Sequence, residues 1–162
     1  MALILSLKLS KLKSIMNYPV FSIEKNKTLA DGINLMVEHD AGSVIITDEG
    51  KPKGILTERD LLQALHDKHF SVKTKIHDLA TTKLRSLAPD SSISDAFRMM
   101  QTYRIRRVPI INKHDHLIGI VTERDVIKAT NDYINTHSKI QWGISIFVFT
   151  ALMIFFLYLM LR

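Results

Sequence analysis

The stretch GILTERDLLQAL at residues 54–65 returns as GIVTERDVIKAT at residues 119–130, 65 residues later. Over the first eleven positions Gly, Ile, Thr, Glu, Arg, Asp and Ala are unchanged, and most other changes exchange one aliphatic residue for another. Upstream, TLADGINLM (28–36) aligns with SISDAFRMM (92–100) at an offset of 64. Each opens on a hydroxyl residue, Thr28 or Ser92, suited to a helix N-cap. Apolar residues then follow at helical spacing: Leu29, Ile33, Leu35 and Met36 against Ile93, Phe97, Met99 and Met100.

Short strand-like runs come next, SVIIT (43–47) and RVPII (107–111), then the turns DEGKPK (48–53) and NKHDHL (112–117). The second turn region is one residue longer, which moves the offset from 64 to 65. A further strand leads to a helix starting at Thr57 or Thr122, and VFSI (20–23) and LRSL (84–87) match as initial strands. Each unit therefore reads β-α-β-β-α. One unit alone leaves a sheet face uncovered. Two copies supply each other's missing surface, packing around a pseudo-two-fold axis and creating two related clefts.

These pieces resemble a pair of CBS domains (named for cystathionine β-synthase), the tandem unit called a Bateman module. The resemblance runs over roughly residues 14–133, on SIMNYPV (14–20), AGSVIIT, RRVPIIN and the doubled G-I-[LV]-T-E-R-D. The expected class is α+β: two β-α-β-β-α repeats with pseudo-two-fold symmetry, followed by one transmembrane helix. The expected divisions are an amphipathic, basic segment at 1–13, repeats at 14–70 and 71–134, a linker at 135–141 and a membrane helix at 142–161.

The net charge is +6, but most of the excess lies at the ends. Lys8, Lys11, Lys13, Lys139 and Arg162 fall outside residues 14–136, which hold 17 basic and 16 acidic residues. That placement suits an anionic lipid surface and makes nucleic acid an unlikely partner. Residues 142–161, WGISIFVFTALMIFFLYLML, form a 20-residue run without a charge. As a helix it would be about 30 Å long, the hydrocarbon thickness. Trp142 and Tyr158 lie near its ends. The expectation is a single-pass C-terminal tail anchor in the membrane, with the repeats on the cytoplasmic side. The segment MALILSLKLSKLK lacks the unbroken apolar run and cleavage site of a signal peptide. The chain has no cysteine, which excludes disulfides and thiolate chemistry.

Thr57-Glu58-Arg59-Asp60 and Thr122-Glu123-Arg124-Asp125 each allow two roles. One is a capping box, in which Thr accepts a backbone N–H bond and Asp reaches back. The other comes from the resemblance: in CBS pairs this Asp accepts from the two ribose hydroxyls of an adenosine ligand, with Thr beside ribose or phosphate. A carboxylate is acceptor-only and a diol supplies two donors. The resemblance also implies adenine between short strands near Ile45, Val108 and Ile110, and contacts from Ser22 and Ser86. Arg106 and Arg107 would meet phosphate, with Lys53 a weaker candidate. Otherwise the two arginines form a solvated edge or ion pairs. The first repeat has Gly42 and Ser43 at their positions, so the clefts should differ.

No catalytic constellation and no full set of metal ligands is legible. His66 with His69, and His114 with His116, read as exposed histidines. The leading expectation is a non-catalytic, membrane-anchored regulatory module with no required cofactor. It would bind AMP, ADP, ATP or a related adenosine compound, form a homodimer and signal to a membrane protein. The alternative is a ligand-free dimerisation adaptor at the membrane.

Overall fold

The structure, a computed structural model, describes residue 7 and residues 9–67 and 71–160. Side chains at 137–139, 141, 143, 144 and 154–160 are outside the described set. Most of the expected N-terminal helix, and His69, also lie outside it.

The first repeat runs β1 (Ser22–Glu24), α1 (Leu29–Glu38), β2 (Ser43–Asp48), β3 (Lys51–Thr57) and α2 (Glu58–Asp67). A four-residue helix, α3 (Ile76–Leu79), follows. The second repeat runs α4 (Ile93–Tyr103), β4 (Arg107–Ile111), β5 (Leu117–Thr122) and α5 (Glu123–Met160). β2 pairs parallel with β1 and antiparallel with β3; β4 pairs antiparallel with β5. The expected α+β duplication is present.

The initial strand of the second repeat is reduced. Residues 84–87, expected as a strand, contribute one parallel bridge, Leu87 to Ile110. The reason is Pro109. In the first repeat the N–H of Ile45 donates to the Phe21 carbonyl at 3.0 Å. The equivalent residue to Ile45 is Pro109, which has no N–H to offer Arg85. The surviving bonds run from Leu87 N–H to the Pro109 carbonyl (3.1 Å) and from Ile111 N–H to the Leu87 carbonyl (3.0 Å). Arg85 instead stacks its guanidinium 3.5 Å from the ring centre of Tyr103. At the matching positions Phe21 and His39 stack with centroids 4.4 Å apart.

Each repeat builds its core with the other repeat's leader. Leu12, fully buried, packs with Ile93, Ala96, Met100, Val108, Ile110, Val121 and Val126 of the second repeat. Ile76, also fully buried and 64 residues later, packs with Leu29, Met36, Val44, Ile46 and Leu56 of the first. The main-chain bonds are reciprocal. Leu12 N–H donates to Ser91 (2.9 Å) as Ile76 N–H does to Lys27 (3.0 Å). Asn17 exchanges bonds with Ile120 as Thr81 does with Ile55. A two-fold relation between the halves is what makes both exchanges the same. Residues 12–16 therefore belong to the globular pair, with Leu12 in the core and Ile15 and Met16 packed against it.

The two main helices of each repeat are all closed at the front by the same device. Thr28 with Asp31, Thr57 with Asp60, Ser92 with Asp95 and Thr122 with Asp125 each form reciprocal bonds between hydroxyl, backbone N–H and carboxylate. At Asp31 the Thr28 N–H, then its hydroxyl, holds the carboxyl below the ordinary carboxylate range. At Asp95 the Ser92 hydroxyl is the larger cause and its N–H the second. A carboxyl depressed on folding stabilises above its unfolded pKa of about 4, and that stability is lost as pH falls through the folded value. Asp31→Asn with Asp95→Asn should therefore flatten the fall in melting temperature between about pH 5 and pH 2. Melting curves parallel to those of the parent over that window would refute the assignment.

Residues 135–141, expected as a linker, are helical. α5 continues unbroken from Glu123 to Met160, 38 residues, about 57 Å at 1.5 Å per residue. Beyond the globular part it exposes Trp142, Ile146, Phe147, Phe149, Leu152 and Met153. Among the described residues no helix is long and apolar enough to cross a membrane. The expected span 142–161 is thus not shown as such, and much of it lies outside the described side chains.

Candidate functional site

The strands β3 and β5 each end on the threonine that caps the following helix, so both corners arise where pleat gives way to helix. At the first corner Asp60 Oδ2 accepts from the Thr57 N–H at 2.8 Å and from its hydroxyl at 2.7 Å. At the second, Asp125 Oδ2 accepts from the Thr122 N–H and hydroxyl, both at 2.7 Å. Capping is therefore real in both. It engages one oxygen. Among the described residues no bond reaches Oδ1 of either carboxylate. A single Asp can close a helix with one oxygen and accept from a ligand hydroxyl with the other.

The corners are not identical. Asn17, from the first repeat's leader, donates its side-chain amide to Asp125 Oδ2 at 2.8 Å. Its counterpart Thr81 meets the first corner through main-chain bonds to Ile55. Asn17 was not among the sequence candidates. Its signal was its place in SIMNYPV (14–20), one of the stretches that carry the resemblance.

The arginines separate. Arg106 lies at the second corner: its carbonyl accepts from the Glu123 N–H at 2.9 Å, and its Nε is 3.7 Å from Glu123 Oε2. Arg107, half-buried, turns toward the first repeat. Its Nη2 would be 2.8 Å from a Cβ added at Gly42, and Glu58 Oε2 3.1 Å from the same point.

Strand alternation sorts the remaining candidates. Ile45 is buried on the face of β2 opposite the core residues Val44 and Ile46. Val108 and Ile110 point into the second core, so only their main chain is available to a ligand. Pro109 takes the position equivalent to Ile45 and is fully buried. Ser22 lines a cavity of about 370 Å³ with Glu24, Thr47 and Leu117 between the halves. There Thr47 donates to Glu24 Oε1 at 3.1 Å, and the N–H of Leu117 donates to the Gly50 carbonyl at 3.0 Å. Ser86 lines a separate cavity of about 490 Å³ with Leu87, Asp90, Ile111 and Lys113. Neither cavity contains the Thr–Asp corners or the arginines. Lys53 is exposed on β3. Among the described residues no cluster of His, Asp or Glu could hold a metal ion.

Known proteins are similar to this chain in sequence and fold. YhcV of Bacillus subtilis, a CBS domain-containing protein, is 30% identical over 118 residues, covering 73% of this chain and 84% of its own. Hypoxic response protein 1 of Mycobacterium tuberculosis is 30% identical over 132 residues, covering 80% and 89%. The CBS domain pair of protein MJ0100, solved with 5′-methylthioadenosine and S-adenosyl-L-methionine, superposes with a TM-score of 0.70 at 23% identity, over 77% of this chain and 98% of that one. The CBS domain protein PAE2072 of Pyrobaculum aerophilum, solved with AMP, gives 0.67 at 19%, over 72% and 89%. The CBS domain itself matches twice, at residues 12–67 and 76–132. The chain thus carries the CBS domain in tandem and belongs to the CBS-domain family.

Proposed function

We propose that this chain is a non-catalytic regulatory CBS pair that binds an adenosine-containing ligand, AMP, ADP, ATP or a relative, and passes its occupancy to a partner protein at a membrane. The observation that carries the reading is the unengaged Oδ1 on both Asp60 and Asp125. A ribose diol fits that acceptor without breaking the helix cap. The adenosine compounds held by MJ0100 and PAE2072, which share the fold, support the ligand class.

Apolar side chains exposed along residues 142–153 support contact with lipid. The Lys and Arg placement favours a C-terminal anchor with the pair on the cytoplasmic side. Exposed Leu62 and Leu65 on α2, with Ile127 at the equivalent of Leu62 on α5, support a homodimer. An adaptor that dimerises without ligand is the second reading. It is favoured by the likeness of the two corners to the plain caps Thr28–Asp31 and Ser92–Asp95.

Thermal unfolding of the full chain in detergent decides between them. AMP, ADP, ATP or S-adenosylmethionine should raise the melting temperature, GTP should not, and Asp60→Ala or Asp125→Ala should abolish the shift at its own corner. If no compound shifts the parent and both variants simply melt earlier, the corners are caps and the adaptor reading replaces this one.

A further inference from the structure

The two corners are built alike but held differently. β3 and β5 each run beside the other repeat's leader in the same register. Asn17 and Ile120 exchange N–H to carbonyl bonds at 2.8 and 3.1 Å, and Thr81 and Ile55 do so at 3.0 and 3.1 Å. Ile120 and Ile55 each stand two residues before the capping threonine. Residues 17 and 81 therefore occupy the same place relative to Asp125 and Asp60. Only residue 17 has a side chain that reaches the carboxylate. Its amide donates to Asp125 Oδ2 at 2.8 Å, whereas the Asp60 carboxylate accepts only from Thr57 among the described residues.

Both donors on Asp60 thus come from one residue. Asp125 has the equivalent two from Thr122 and a third from another segment of the chain. Donors from two directions on Oδ2 fix the plane of the carboxylate, and with it the position of the open Oδ1. A ligand hydroxyl that bonds Oδ1 then has less motion to freeze, which strengthens binding without a new contact. We propose that Asn17 is a positioning residue for the second corner, and that its amide makes Thr122–Asp125 the tighter of the two sites for the ribose of an adenosine ligand. This rests on the ligand class proposed above. Asn17 acts from the first repeat's leader on a carboxylate 108 residues away, so neither repeat completes the tighter site alone. The bond is exposed to water, which keeps the effect modest.

Calorimetric titration of the full chain in detergent with adenosine tests this. Asp60→Asn leaves the second corner alone, and Asp125→Asn the first. Asparagine keeps its amide oxygen for the cap and turns its NH2 to where Oδ1 stood, so the helix stays closed while the ribose acceptor is lost. In the Asp60→Asn chain, Asn17→Ala should weaken adenosine by about fivefold, the scale of one exposed, charge-assisted hydrogen bond acting at one remove. In the Asp125→Asn chain the same change should stay within about twofold. Thr81→Asn supplies the missing donor and should tighten adenosine at the first corner by about threefold, a gain that a purely structural role for Asn17 does not predict. Should either asparagine chain fail to fold, Asn17→Ala in the parent should weaken the tighter of two binding steps and leave the other unchanged. If Asn17→Ala leaves the second corner unaltered, weakens both corners equally, or tightens the second, the assignment is overturned while adenosine binding stands. If the parent chain binds neither adenosine nor AMP, the functional reading falls and this inference with it.

Discussion

Leu12→Ala should cost the second repeat about 3 kcal/mol of stability, within the usual range for a buried leucine truncated in a core. Leu12 is fully buried among Ile93, Met100, Val108, Ile110 and Val121. Ile76→Ala should cost the first repeat a similar amount, since Ile76 is equally buried against Leu29, Val44 and Leu56. Leu9, 69% exposed on the same leader, is the control. Its truncation should move stability by less than about 0.5 kcal/mol. Urea unfolding of the three variants reads the comparison. Equal losses at positions 9 and 12 would mean that the leader does not dock.

Gly54→Val should be nearly as damaging, at roughly 2–3 kcal/mol, and Gly119→Val less so, at about 1–2 kcal/mol. These are the glycines that open the repeated G-I-[LV]-T-E-R-D. The other repeat's leader crosses directly over each. A Cβ on Gly54 would lie 3.3 Å from the Ala80 Cβ and 3.4 Å from the Thr81 carbonyl oxygen, neither of which can swing aside. A Cβ on Gly119 would lie 2.7, 3.1 and 3.3 Å from the sulfur, Cγ and Cβ of Met16; the sulfur and Cγ have rotamers to move into, which leaves one fixed contact against two at Gly54. Valine favours strands, so a loss at either site reads crowding by the leader. Denaturation midpoints that fall equally for both would contradict the difference in what overlies them.

Much of this was legible in the sequence because it is local or periodic. The offset of 64 rising to 65 located the extra turn residue. The hydroxyl residues located all four caps, and at Thr57 and Thr122 the acid three residues on completed the box, though not that a cap would leave one carboxylate oxygen unused. The exchange of leaders was not legible. Apolar periodicity says that Leu12, Ile15 and Met16 will be buried, not which half will bury them. The turn of Arg107 toward the first repeat depends on a gap at Gly42 that is visible only once the halves are packed. The shortened strand at 84–87 was legible in principle, since Pro109 removes the donor that would have extended it. So was the helix through 135–141, because no Gly or Pro interrupts the run from Glu123 to Trp142.

That uninterrupted helix fixes more than a distance. α5 begins at the cap that Asp125 closes and carries the exposed Trp142, Ile146, Phe147, Phe149, Leu152 and Met153 on the same rod. Successive residues turn by about 100°, so the angular position of each side chain on the tail is set by that of Asp125. The two are phase-locked like marks on one shaft. A rotation of the helix at its Thr122 end would turn its far end by the same angle, since no break interrupts it between Glu123 and Met160.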